Sequence, residues 1–387
     1  MSFDFDQPID RRGSHALKFD GRRQKFGSDE VSPLWVADMD FAAPPHVVEA
    51  LRERARHPIY GYTQFPESLQ QALIGWCMRR HRWRVERDWL VPASGVLAAL
   101  SAAMQACTAT GDAVIVQPPV YPGFFRAVED AGRRLLHNPL CETGGRYAMD
   151  LAQLEQQARD GARALLLCNP HNPGGRVWSP DELGEVLHIA RRHGLTVIAD
   201  EVHGDLALRG ASHCPLGSLA QADDRVVSLL SPSKTFNLQG LGLSMLVASR
   251  DDLRGALPKA VVAAHLGDAS PFAIAAAEAA WREGDAWLDA LKLYLGGTRD
   301  FVAGFLRERL PAIRIEPPQA GYLLWLDCRG LGMDDVALRD FFIHRCKLGL
   351  NPGSEFGPGG SGFMRMNIGT PQRNVEAALE SVEAALK

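Results

Sequence analysis

Between about residues 90 and 250 the chain repeats one pattern: a short, continuously apolar run, a turn, then a helical stretch. "DWLVPASG" leads into "VLAALSAAMQACTATGD", "AVIVQPP" into "YPGFFRAVEDAG", and "ALLLCNPHNPGG" into "SPDELGEVLHIARRHG". "TVIADEVHGD", "VVSLLSPSK" and "SMLVAS" follow. Runs without polar alternation suit strands buried on both faces, which requires helices above and below a mainly parallel sheet. The expected fold class is therefore α/β. "SPDEL" has the marks of a helix start, with Ser179 as cap, Pro180 in the first turn and two acids near the positive end. The alanine-rich stretch Ala273 to Ala280 also reads as helix.

The C-terminal part changes character. "IRIEPPQAGYLLWLDC" and "GFMRMNIGTPQRNVEAALESVEAAL" suggest a smaller α+β unit. The expected division is a large unit over 46–290 and a small one built from 1–45 and 291–387. With 387 residues there is room for two or three domains of about 150 each.

The net charge of −4 gives no reason to invoke nucleic acid or an anionic membrane surface. The start, "MSFDFDQPIDRRG", has no apolar core of signal-peptide length, and no apolar stretch reaches the roughly 18–20 residues that span a bilayer. Seven widely spaced cysteines without a CxxC fit reduced thiols in the cytoplasm. The twelve histidines contain no HExxH, and no structural metal is expected.

Of 42 basic residues only seven are lysine, at 18, 25, 234, 259, 292, 347 and 387. Lys234 stands directly after an apolar run, in "VVSLLSPSKTFN". Arginine stays protonated, whereas lysine can lose its proton and form a Schiff base. A loop-capping lysine is the plain alternative, but the buried run and the Ser-Pro-Ser turn argue against free solvation.

In open α/β sheets, ligands gather beyond the carboxyl ends of the strands. Four such ends carry unusual residues. Ser94 and Gly95 precede a helix, whose free N–H groups suit a phosphate. "NPHNPGG" is a rigid turn in which Asn172 either aims an amide at a ligand or simply shapes the turn. Asp200 and Glu201, with His203 and Asp205 nearby, end a buried strand, where a charge needs a partner. Ser231 and Ser233 flank the approach to Lys234. A phosphate cradle, an amide donor, a carboxylate and an amine together suit pyridoxal 5′-phosphate. "GPGGSG" at 357–362 fits GxGxxG, but it stands before a strand-like run and reads as a loop.

The motifs "NPHNPGG", "ADEVH", "SPSKTFN" and "FMRMNIG", in that order, resemble fold-type I pyridoxal-phosphate enzymes, the aspartate aminotransferase superfamily. "DRRGSHALKFD", "PLWVADMDFAAPPHV", "YGYT", "DEVHGD" and "SKTFNLQGL" are similar to the MalY/PatB-type cystathionine β-lyases within it. The resemblance implies that Lys234 holds the cofactor covalently, Asp200 pairs with the pyridine nitrogen, and Asn172 donates to the ring hydroxyl. It implies that Tyr121 stacks on the ring, and that Ser231, Ser233 and the amides of Gly95 and Val96 hold the phosphate. Tyr62 would reach the phosphate of a neighbouring subunit, which implies a homodimer, and Arg365 would grip the substrate carboxylate. His203 stands where many aminotransferases carry tyrosine, without a defined role. Those enzymes also place an arginine eight residues after the lysine, where this chain has Gly242. The implied activity is α,β-elimination from L-cystathionine or a related cysteine conjugate. An aminotransferase, or a regulator acting through a protein partner, remains an alternative.

Overall fold

Six apolar runs and one more segment form a seven-stranded sheet in the computed structural model, which describes residues 3–268 and 270–387. In spatial order the strands are Leu90–Ala93, Ser244–Val247, Val226–Leu230, Thr196–Asp200, Ala164–Cys168, Ala113–Val116 and Arg134–His137. Only Ser244–Val247 runs antiparallel to its neighbours. The central strands Ala164–Cys168 and Thr196–Asp200 are buried at every residue, as runs without alternation require. The edge strand Arg134–His137 is partly exposed throughout, so it lacks the continuous apolar signal of the others.

Two apolar layers cover the sheet. On one face Ala99, Leu100 and Leu253 pack against Val114 and Ile198. On the other, Leu183, Val186 and Leu187 pack against Leu165 and Val197. The Pro180–His193 helix starts as its sequence dictates. Ser179 Oγ accepts from the Glu182 amide at 3.2 Å, and Glu182 Oε2 accepts from the Ser179 amide at 2.8 Å. The alanine-rich stretch is the helix Pro271–Glu283. After Gly284 the helix Asp285–Arg309 runs without interruption past residue 290.

A second, antiparallel sheet joins Leu323–Asp327, Phe363–Asn367 and Asn351–Pro352. The C-terminal helix Gln372–Leu386 lies beside it, in contact with Asp285–Arg309. The N-terminal segment reaches this unit: Ser32–Pro33 pairs in parallel with Leu348–Gly349, and the Asn367 amide donates to the Leu34 carbonyl. "GPGGSG" is a loop between a 3-10 turn and the Phe363–Asn367 strand. Among the described residues no helix is long and apolar enough to cross a membrane.

Candidate active site

The carboxyl ends of five parallel strands converge on one cavity. It is lined by Gly95, Val96, Tyr121, Asn172, Asp200, His203, Ser233 and Lys234, and also by Ala37, Gln239 and Gly242. Most of these residues stand at or within a few residues of the carboxyl end of a strand, while Ala37 comes from the N-terminal segment and Gln239 and Gly242 from the turn after the lysine. A parallel sheet points all such ends the same way, so distant sequence segments meet there.

Lys234 sits in a single helical turn, Ser233–Phe236, ended by Asn237 in the left-handed region at φ 59°. Its Nζ donates to the Ala37 carbonyl at 2.8 Å. Burial, with help from the Arg365 charge, pulls its pKa down to about 8, while Asp200 and Asp38 oppose the shift. Burial drives Asp200 the other way, up to about 6, against the hydrogen bond from the Val202 amide at 3.2 Å and the pull of Lys234. His203 is buried and depressed to about 3, first by burial and then by Lys234 and Arg365, so its imidazole is neutral. Its ring lies 6.1 Å from that of Tyr322.

Arg365, central in its strand, is also buried, which lowers it to about 10. Its Nη1 donates to Asn172 Oδ1 at 3.2 Å, and Nη2 donates to Asn351 Oδ1 at 2.9 Å and to the Trp35 carbonyl at 3.1 Å. Its Nε is buried with no partner among the described residues.

Arg365 does not itself line the cavity, and three more expected residues stand differently from the rest. Gly95 lines the cavity, but its amide is spent on the Gly242 carbonyl at 3.0 Å, so the helix Val96–Cys107 offers its following N–H groups instead. Ser231 lies behind Ser233: its hydroxyl shares its proton between the Leu243 carbonyl at 2.7 Å and Ser233 Oγ at 2.8 Å, and accepts from the Ser233 amide at 3.1 Å. Its single proton is thus committed, and it braces Ser233. Tyr62 is fully exposed, away from the cavity of its own chain.

Asp205 also lies outside the cavity. Its carboxylate accepts from Thr235 at 2.8 Å, from Trp76 at 2.9 Å and from His81 at 2.7 Å, directly behind the lysine turn. Ala37, Gln239 and Tyr322 were not singled out from sequence. Ala37 and Gln239 lie inside quoted motifs, "PLWVADMDF" and "SKTFNLQGL", and were legible to that extent. Tyr322 carries no local signal.

A family model described as aminotransferase class I and II matches residues 30–382. The chain is 41% identical to cystathionine beta-lyase PatB of Bacillus subtilis, over 99% of each sequence. It is 31% identical to protein MalY of Escherichia coli, over 100% of this chain and 99% of that one. The crystal structure of cystalysin from Treponema denticola, which contains pyridoxal 5′-phosphate, superposes with a TM-score of 0.96 at 33% identity, covering 100% of this chain and 99% of that one. With the family match spanning most of its length and a lysine set in the cavity at the strand ends, the chain belongs to the aminotransferase class I and II family.

Proposed function

We propose that this chain is a pyridoxal-phosphate-dependent carbon–sulfur β-lyase, cleaving L-cystathionine or a related cysteine thioether to a thiol, pyruvate and ammonia. The observation that carries the reading is the Lys234 amine, lowered to about 8, opening onto the same cavity as Asp200, Asn172, Tyr121 and Ser233. The similarity to PatB, named a cystathionine beta-lyase, supplies the reaction class.

The donor set fits the cofactor. Ser233 and the N–H groups opening the Val96–Cys107 helix suit its phosphate, with Ser231 orienting Ser233. Asp200 suits the ring nitrogen, Asn172 the ring hydroxyl, Tyr121 the ring face and Lys234 the aldehyde. Arg365 suits the substrate carboxylate, since its unpartnered buried Nε is a donor awaiting an anion. When bound, pyridoxal phosphate supplies a carbonyl for the amino group and a protonated ring that draws electrons from the α-carbon.

The protein's own part is proton handling and orientation. An amine with a pKa of about 8 keeps roughly a tenth of its population neutral near pH 7, so Lys234 can remove the α-proton and is then acid enough to pass it to the departing thiolate. Asp200, raised to about 6, is ionised at neutral pH, and a cation on the ring nitrogen beside it favours that state further. His203, at about 3, does not supply protons at neutral pH, so its place near the ring is one of shape and polarity. Arg365 fixes the carboxylate and thereby the face from which the α-proton leaves.

Tyr62 supports a homodimer with shared sites: fully exposed in one chain, it is available to a neighbour's cavity. Seven unpaired cysteines suit the cytoplasm. The family description favours transamination as the second reading. The fate of nitrogen decides between them. Pyruvate, ammonia and homocysteine should form from L-cystathionine with no keto acid added. Stoichiometric transfer of the amino group to an added keto acid, with no free thiol, would make the chain an aminotransferase.

A further inference from the structure

Of two stretches quoted for their likeness to the lyases, "PLWVADMDF" brings Ala37 to the cavity, while "DRRGSHALKFD" has taken no part in the site as described so far. In the fold they are two halves of one ion network. Arg11 bonds Asp38 through Nη2 at 2.8 Å and Asp40 through Nη1 at 2.7 Å. Lys18, wholly buried, bonds Asp40 Oδ2 at 2.8 Å and stands 3.7 Å from Asp38 Oδ1. A buried ion pair is a poor source of net stability, because desolvation offsets most of the attraction, but it fixes where a backbone lies. Here the backbone so fixed is Ala37, one residue before Asp38.

The Ala37 carbonyl accepts three donors: Lys234 Nζ at 2.8 Å, Tyr322 Oη at 3.0 Å and Gln239 Nε2 at 3.2 Å. A carbonyl has two lone pairs. Gln239 and Tyr322 therefore satisfy it when the lysine is engaged elsewhere, and a free lysine amine is a third, exchangeable guest. Asn367 Nδ2 holds the carbonyls of Val36 and Asp38 on either side, and Asn237 holds Met39 from the lysine's own turn. The segment is thus gripped at every residue from 36 to 39, with the Ala37 carbonyl aimed at the lysine.

We propose that the Arg11/Lys18–Asp38/Asp40 network is a positioning device that presents the Ala37 carbonyl to the free Lys234 amine. It gives the displaced lysine one fixed acceptor from which to act on the α-proton, in place of a range of rotamers. The inference rests on the lyase reading for its purpose, but its geometry can be tested without the cofactor.

The test is Arg11→Gln in the full chain, with Asp38→Asn as the second variant should the first fail to fold. Acetic anhydride labelling of the cofactor-free chain, read by mass spectrometry, reports how sheltered each lysine is. Lys234 should label several-fold faster in the variant, with Lys259 and Lys292 unchanged. In the loaded enzyme kcat should fall about tenfold or more, from lost orientation, with a smaller change in KM. Hydrogen exchange across residues 35–41 checks that the segment has loosened. A loosened segment with unchanged Lys234 labelling and unchanged kcat overturns the proposal, as does a segment that Arg11→Gln leaves as tight as before. Failure of the functional reading shows separately, as the absence of a borohydride-fixed cofactor on Lys234.

Discussion

The amide of Gly95 donates to the carbonyl of Gly242 at 3.0 Å, bonding the turn that opens the Val96–Cys107 helix to the turn that follows the lysine. Gly242 sits at φ +63°, and a Cβ built on it meets nothing within 4 Å. A Gly242→Ala change is therefore expected to cost about 1–2 kcal/mol from backbone conformation alone. The denaturant midpoint measures it, and a cost near zero would show that the left-handed turn is not held.

Lys234 trades stability for reactivity. Its folded pKa of about 8 lies below the ordinary lysine value of 10.5, so the unfolded chain binds more protons between those values. The lysine's penalty is full below pH 8 and fades as pH rises through that window. Lys234→Met should stabilise the cofactor-free chain by about 1–2 kcal/mol at pH 7, less than the whole shift because the amine is partly open to the cavity. The gain should shrink at pH 10. Thermal melts at the two pH values decide it, and a gain that grows with pH would contradict the assignment.

Asp205 braces the lysine turn from behind. Burial alone would raise its pKa, but hydrogen bonds from His81, Thr235 and Trp76 outweigh burial and hold it below the usual carboxylate range. Its contribution is present above that range and is lost as pH falls through the depressed value. Asp205→Asn should destabilise the fold by about 1–3 kcal/mol and lower kcat more than it changes KM. Chemical denaturation and steady-state kinetics on one preparation test both halves.

The proposed homodimer with shared sites predicts rescue. Tyr62→Ala and Lys234→Ala homodimers should each be nearly inactive. Refolded mixtures should regain activity, since a heterodimer holds one intact site. Heterodimers that demonstrably form yet show no gain would place Tyr62 outside the site.

The sequence made the sheet legible because its central strands have helices on both faces and so carry no polar alternation. Arg134–His137 lacked that signal because none of its residues is buried, unlike most of those of the opposite edge strand Leu90–Ala93. Lys234, Asp200, Asn172 and Ser233 were legible because each stands at or within a few residues of the end of a strand, and Tyr121 through the family resemblance alone. Ser231 reads the same way in sequence, yet the turn spends its hydroxyl inward, since two serines two residues apart do not both face the cavity. Gly95 misled for a related reason: its amide precedes the helix and found a partner in Gly242. Tyr322 was beyond reach, and so was the role of Ala37, because only tertiary packing brings residues 285 positions apart to one carbonyl.

The pairing of Ser32–Pro33 with Leu348–Gly349 has a consequence for how the protein is made. During synthesis the early segment waits for partners that emerge more than 300 residues later, roughly a quarter of a minute to a minute at ordinary ribosome speeds. By then the strand ending in Asp200 and the helical turn carrying Lys234 have already been synthesised. A chain interrupted ahead of residue 348 therefore has its reactive amine while the Ala37 segment still lacks the grip of Asn367 and the pairing with Leu348–Gly349.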